Sequence, residues 1–592
     1  MGEIKKMTFM EVMKKTAEKR GDAPALKAKV DGEWKTTSWK DYYAQVRTAA
    51  RAFMKLGLKP GGGVTIVGKN CPQWLIGNNG AIFAGGVATG IYITSTPEQC
   101  RYVAGHCGAV ITIVEDKEQL AKFKKIRDKL PDLKAIVMMS GSDSDDMVHS
   151  WEDLEKLAKD VSDKELDERI KAQKPDDLAE LIYTSGTTGD PKGVMLSHDN
   201  LMFTAKTVID MVGANEDDVM LSYLPLSHIA EQIVSLHGPI AMGALSCFAE
   251  SLEKLGENLN EIHPTIFLGV PRVWEKIQAK MVAAGSKNPP LKKKIAAWAR
   301  KKGLKGGYAE QKGEPKPMFY GLAKKLVFSK VRDKLGMDRC RMFFTSAAPI
   351  SKDTLEFFLS LGIPIFEIYG QSECTGPGTV SSPGHYRTAL VGRVMPGTEL
   401  KIADDGEILF RGRHVFLGYY KHEEATKEAL DPEGWLHTGD IGELDDNGYL
   451  KITDRKKDLI ITSGGENIAP QLLEGKLKSI PIVANAVVIG DKRKYLTALL
   501  TLDEEKLADE IAAAGSEAKD LASAASCKKF REYIQKQLDE VNTTLARVQT
   551  IKKFTILPVD FTIEGGELTH TMKVKRKIVN QKYAKDIENL YS

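Results

Sequence analysis

The stretch YTSGTTGDPKG, residues 183–193, gathers groups able to grip an anion. Its glycines let successive backbone N–H groups converge. Thr184, Ser185, Thr187 and Thr188 add hydroxyls, and Lys192 adds a positive charge. That chemistry suits a nucleotide phosphate. The spacing is not that of the common P-loop, because Gly186 and Gly189 stand too close together and Lys192 follows Pro191. GVTIVGKN, residues 63–70, comes nearer to that spacing. It lacks the closing hydroxyl, and its β-branched middle predicts a strand. A surface loop is the plainer alternative for 183–193.

Further groups carry related chemistry. Tyr369-Gly370-Gln371-Ser372-Glu373 ends an apolar run over 363–369, and open α/β sheets collect ligands at the carboxyl ends of their strands. Glu373 offers a carboxylate to a metal, against the reading of a surface acid. GQSEC, residues 370–374, resembles the hydrolase elbow G-x-S-x-G without its last glycine. Asp440 closes GWLHTGD at 434–440, Arg455 lies in DRKKD at 454–458, and Lys573 opens the basic run KVKRK. The plain readings are core packing for Tyr369, one more surface cation for Lys573, and a satisfied core residue for His228 in PLSH.

To hold these groups the chain must build sheet. Thr8 and Glu11 have capping-box spacing, and Gly21 is placed to end the helix they open. Strand-like runs follow at 64–67, 110–114, 135–138, 178–182, 265–270 and 363–369, alternating with helical patterns. The fold class is therefore α/β. The uncharged stretch 71–97 is long enough to span a bilayer. However, Gly77-Asn78-Asn79-Gly80 is expected to interrupt it and Ile91-Tyr92-Ile93-Thr94-Ser95-Thr96 reads as a strand, so a buried helix, turn and strand fit better. Residues 139–146 read as a polar loop, and 285–317 as an exposed excursion around a short helix. Composition changes after Thr453, and DRKKD falls where a second, smaller domain would begin. Helical patterns follow between Asp503 and Cys527.

At 592 residues the chain is long for one core. A net charge of +4 makes no broad case for nucleic-acid binding, and the basic stretches 292–305 and 573–582 lack interleaved aromatic platforms over most of their length. A membrane surface suits those stretches better. Seven cysteines show neither a C-x-x-C pair nor zinc spacing, which favours reduced thiols in a cytoplasmic compartment. MGEIKKMTFM reads as neither a signal peptide nor a myristoylation site.

Taken in order, TSGTTGDPKG, YGQSE, GWLHTGD, the run at Arg455 and the region of Lys573 resemble the adenylate-forming superfamily of acyl-CoA synthetases over essentially the full length. GIYITSTPEQCRYV, YLPLSHIAEQ, GVPRVWEKI and GGELTHTMKVKRKIV look like its bubblegum-type long- and very-long-chain fatty acyl-CoA synthetases. The resemblance implies a large N-terminal adenylation domain, residues 1–454, with sheets flanked by helices, and a smaller α+β domain, 455–592, that rotates. It implies a fatty acid, ATP and CoA as substrates, with Mg2+, and an acyl-adenylate between two half-reactions. Thr184 to Lys192 would cradle the phosphates, and Thr184 and Glu373 would serve the magnesium. Tyr369 would stack on adenine opposite Ala347 and Ala348, with Glu367, Gly370, Gln371 and Ser372 also in the nucleotide site. Asp440 and Arg455 would take the ribose, and Lys573 would bridge the carboxylate and α-phosphate. Lys457 would be the hinge, Gly464 and Gly465 the CoA passage, and His228 a gate at the acyl site. Ser372 and His570 depart from the residues common there, a threonine and a proline. An adenylating ligase for another acid and a silent lipid-binding scaffold on this fold remain as alternatives, and peripheral membrane contact is expected.

Overall fold

The computed structural model describes residues 4–184, 190–463, 466–569 and 572–592. The capping box closes as its spacing predicts. Thr8 caps the helix Phe9–Arg20, Glu11 reaches back to the Thr8 backbone, and Gly21 ends the helix.

Two large sheets dominate the chain up to Val394, the eight-stranded one completed by the later strand Gly418–Tyr419. In the eight-stranded sheet, Gly63–Val67 pairs in parallel with Val87–Ile91 and Ala109–Val114. Its five residues are all buried, so GVTIVGKN is a central strand rather than a phosphate loop. Strands covered on both faces favour apolar residues, hence the Val/Ile-rich runs, and the buried hydroxyls of Thr65 and Thr112 satisfy each other at 2.8 Å. The Gly77–Gly80 stretch does not interrupt structure as its composition suggested: it lies inside the helix Pro72–Phe83. The asparagines stay there because they find partners. Asn78 donates to Glu180 at 2.7 Å and Asn79 to the Tyr42 hydroxyl at 2.6 Å. Gly80 admits the neighbouring helix, because a Cβ there would press on Ala49 and Phe53. The strand expected over Ile91–Thr96 is corrected to Val87–Ile91, with Tyr92 onward forming a turn before Pro97.

In the nine-stranded sheet, Val219–Ser222, Ile266–Leu268, Met342–Thr345 and Ile365–Gln371 run parallel, so their carboxyl ends open on one side. Gly376–Val380 then returns antiparallel, so close that a Cβ on Gly370 would overlap the Gly376 carbonyl. A four-stranded antiparallel sheet follows, in which Asp440 of Leu436–Leu444 registers against Arg455 of Leu450–Arg455.

The excursion at 285–317 is built on a 23-residue helix, Pro290–Lys312, not a short one. Its glycines misled the compositional reading. Gly303 faces the Ser360 carbonyl, Gly306 the Tyr320 ring and Gly307 the Leu359 side chain, with no room for a Cβ at any of them. They are a docking face.

Beyond Arg455, Val483–Ile489, Leu496–Leu502 and Ile551–Ile556 form a three-stranded sheet under helices, with a hydrophobic core of its own that includes Ile482, Ala498, Leu500, Phe530 and Phe554. Among the described residues no helix is long and apolar enough to cross a membrane, and all seven cysteines are free thiols.

Candidate active site

The parallel strand Ile365–Gln371 delivers Glu367, Tyr369 and Gln371 to the open side of its sheet. Alternation along a strand puts all three on one face. Tyr369 is buried, and its hydroxyl donates to Asp440 Oδ2 at 2.7 Å. Arg455 Nε reaches Asp440 Oδ1 at 3.2 Å, as the antiparallel register of their strands requires. Asp440 is thus fixed from two sides while its carboxylate still lines the cleft. Gln371 donates to the Thr438 carbonyl at 3.3 Å, tying the two sheets together beside the site. Burial pushes the Glu367 carboxyl up to about 8, although it accepts a hydrogen bond from the Ala389 N–H at 2.8 Å.

Ala347 and Ala348 line the same cleft, following the strand Met342–Thr345. Ala347 holds φ at +73°, a conformation a residue with a Cβ adopts only at a cost. The Ser346 hydroxyl anchors this turn on the Ile368 carbonyl at 3.0 Å, one residue before Tyr369.

The phosphate-type groups meet at the next position along the cleft. Thr184 ends the strand Leu178–Thr184, and its register partner is Lys192. The Lys192 ammonium stands 4.8 Å over the ring of Tyr419, whose hydroxyl donates to Glu373 Oε1 at 2.7 Å. Ser372 and Glu373 are both buried in the 3-10 turn Ser372–Cys374. Tyr419 therefore joins the base of the glycine-rich loop to the glutamate. It lies 46 residues from Glu373, on the short strand Gly418–Tyr419, and no local pattern singles it out. Ser185, Gly186, Thr187, Thr188 and Gly189 lie outside the described residues, as do Gly464, Gly465 and His570.

Lys573 stands beside the Leu568–Val574 bridge in the C-terminal part of the chain and lines the same cleft. Burial, reinforced by the Arg455 guanidinium, pushes its ammonium down to about 8, with Asp440 and Glu373 pulling the other way. His228 shares this environment: burial first and Lys573 second hold its imidazole down to about 4. Its Nδ1 accepts from the Ala230 N–H at 3.2 Å, capping the helix Ile229–Gln232. His228 is therefore a neutral cap that also lines the cleft.

Lys456 is the last basic residue of the charged run held by the first part of the chain. Its ammonium pairs with Asp405 at 2.6 Å and Glu407 at 2.8 Å, and its N–H donates to the Gly439 carbonyl. Lys457, next along, is exposed. Burial alone would raise the Glu407 carboxyl, but Lys456, His437 and the Gly439 N–H hold it below the usual range. The sequence reading missed this anchor.

These groups line one cleft of about 2420 Å³. Away from the polar end it continues as an apolar arm between the helix His198–Val212 and the nine-stranded sheet, lined by Val208, Val212, Ile233, Met220, Leu268 and Met242. An anion-binding polar end and an apolar arm suit an amphipathic acid.

The AMP-binding enzyme family matches residues 13–420, and the AMP-binding enzyme C-terminal domain matches 457–592. Long-chain-fatty-acid–CoA ligase ACSBG2 of Xenopus laevis is 45% identical across 99% of this chain and 84% of its own length. The human protein of that name is 41% identical across 99% and 92%. Among solved structures, the adenylation domain of a carboxylate reductase from Mycobacterium chelonae superposes with a TM-score of 0.77 at 21% identity, covering 99% of this chain and 91% of its own. An anthranilate CoA ligase in complex with anthranoyl-AMP does so with a TM-score of 0.74 at 18% identity, over 99% and 98%. At such identities these structures bear on the fold alone.

Proposed function

The chain belongs to the AMP-binding enzyme family, and we propose on that footing that it is a long-chain fatty acid–CoA ligase. It forms acyl-CoA, AMP and pyrophosphate from a fatty acid, ATP and CoA through an acyl-adenylate. The observation that carries this reading is the convergence of Tyr369–Asp440–Arg455, Lys192–Tyr419–Glu373 and Lys573 on one cleft that ends in an apolar arm.

A carboxylate is a poor acyl donor until one of its oxygens becomes part of a good leaving group, and AMP is that group. Asp440 accepts hydrogen bonds from the ribose hydroxyls, a task two carboxylate oxygens suit. Its bonds to Tyr369 and Arg455 fix its orientation beforehand. Tyr369 and the Ala347–Ala348 backbone flank the adenine. Thr184, Lys192 and the loop between them bind the triphosphate, and Lys573 stabilises the charge that grows as the carboxylate attacks the α-phosphate.

Mg2+ fits this site as a guest held jointly with substrate. The groups at hand are hard oxygens, Glu373 and Thr184, and no cluster of three or more metal-ligating side chains exists among the described residues. Magnesium takes one or two carboxylates plus phosphates in such sites, where it neutralises phosphate charge.

The acyl chain occupies the apolar arm, with His228 at its mouth. The division of labour follows the chain: residues 1–454 form the adenylation domain, and 455–592 form a mobile domain turning about Lys457 to exchange Lys573 for the Gly464–Gly465 passage. The anchoring of Lys456 beside an exposed Lys457 supports that hinge. The enzyme works in the cytoplasm in peripheral contact with membrane, where its substrate partitions. AMP release with ATP and CoA across saturated acids from acetate to very long chains tests the assignment. Equal efficiency on acetate and on a C16 acid would refute the long-chain reading.

A further inference from the structure

Residues 287–332 carry fourteen lysines and arginines against two glutamates, a local charge of +12 in a chain whose total is +4. The remaining residues are therefore net negative by 8, and the positive charge of this protein is concentrated in one hairpin. Among the described residues the only ion pair within that segment joins Lys316 to Glu310 at 3.0 Å. Cations left without carboxylates repel one another unless an external polyanion is present.

The same segment is also apolar on its outside. Of the seventeen exposed large hydrophobic side chains among the described residues, six fall in it, between Leu291 and Leu326. Leu291 is 70% exposed, Met318 72% and Phe319 53%. On the helix Pro290–Lys312, Leu291, Ile295, Trp298 and Lys302 follow at intervals of four, three and four, one flank of a helix. On the returning arm, Phe319, Leu322 and Leu326 repeat at three and four. The two flanks adjoin: Lys302 stands 5.8 Å over the Phe319 ring, and Trp298 shares a seam with Ala299, Ala323 and Phe328.

We propose that this hairpin docks the protein on an anionic lipid surface. Exposed Leu, Ile, Met and Phe immersed among lysines match an interfacial element, whose apolar side chains enter the acyl boundary while the ammonium groups meet phosphate headgroups. Nucleic acid would use the charge but leave the aliphatic side chains in water. The docked edge also adjoins the cleft, since Val282 and Lys287, just before the helix, line its rim. A fatty acid leaving the bilayer would meet that rim directly, a consequence that rests on the ligase reading; the docking itself does not.

The test is sedimentation of the full chain with vesicles of phosphatidylcholine containing roughly 30% phosphatidylserine, without ATP or acid. Binding should weaken with salt and be absent on phosphatidylcholine alone. Lys292→Ser, Lys293→Ser and Lys294→Ser together should lower partitioning about a hundredfold. Phe319→Gln with Leu322→Gln should lower it about tenfold or more. Both sets should keep wild-type kcat/KM for palmitate delivered on albumin and lose it for palmitate held in the anionic vesicles. Failure of the wild-type chain to bind, or variants that bind like it, would overturn the proposal. So would tighter binding to a single-stranded RNA, or a dimer that the Phe319 variant dissolves. Loss of ligase activity with vesicle binding intact would count against the ligase reading alone.

Discussion

Lys573 should impose an alkaline limit on adenylation and on nothing that follows it. In the apo site its ammonium is held at about 8 against an ordinary 10.5, mainly by burial and next by Arg455. That displacement corresponds to about 3 kcal/mol against the charged form. The role proposed for it needs the charge, so kcat/KM for ATP, read as pyrophosphate release without CoA, should be full below about pH 8. Above that it should fall tenfold per pH unit. Carboxylate and α-phosphate restore negative charge around the ammonium, so the corresponding break in kcat should move to higher pH. Lys573→Arg keeps its charge throughout this range and should flatten the alkaline limb, at a lower plateau because the planar guanidinium is a poor substitute for a point charge. Lys573→Ala should lose about 3–4 kcal/mol of transition-state stabilisation, two to three orders of magnitude, in pyrophosphate release. Given synthetic acyl-adenylate and CoA, that variant should still form thioester at close to the wild-type rate. Folding stability carries the opposite sign. Because the folded value lies below the unfolded one, charged Lys573 destabilises the fold below about pH 8, and the penalty fades as pH rises towards 10.5. Lys573→Met should therefore melt higher than wild type at pH 7, and no higher above pH 10.5. Survival of the alkaline limb in Lys573→Arg, or proportional loss of both half-reactions in Lys573→Ala, would refute this assignment.

Glu373→Gln should leave the fold intact and cut pyrophosphate release by about two orders of magnitude, about 3 kcal/mol for a charge lost at a phosphoryl site. Near-normal release would remove Glu373 from the magnesium site. Val208→Phe should fill part of the apolar arm and shift the preferred acid shorter by about two carbons, each buried CH2 being worth about 0.8 kcal/mol. An unchanged chain-length profile would place the acyl chain elsewhere. Gly465→Leu should keep adenylation and lose thioester formation, and Lys457→Pro should do the same by restricting φ at the hinge. Loss of adenylation in step with thioester formation, in either variant, would contradict the domain rotation.

Much of this protein is written locally. The capping box at Thr8, the Val/Ile-rich strands and the strand at 178–184 each depend on neighbours a few residues away, so composition and spacing reveal them. Tyr369, Glu373, Asp440, Arg455 and Lys573 were picked out by the resemblance of their short motifs to a known family, as was Glu367 beside them, and the structure brings all six to one cleft. What those residues do to one another was not legible. The Asp440–Arg455 contact comes from strand register, and Tyr419 reaches Glu373 across 46 residues. The low ammonium of Lys573 comes from burial against a different part of the chain. The apolar arm is assembled from helix and strand residues that read, one by one, as ordinary core. Glycine shows the limit most clearly. In 285–317 it suggested loop, because alone it weakens a helix. Gly303, Gly306 and Gly307 instead let a long helix approach Ser360, Tyr320 and Leu359, and only the positions of those partners reveal why a side chain must be absent.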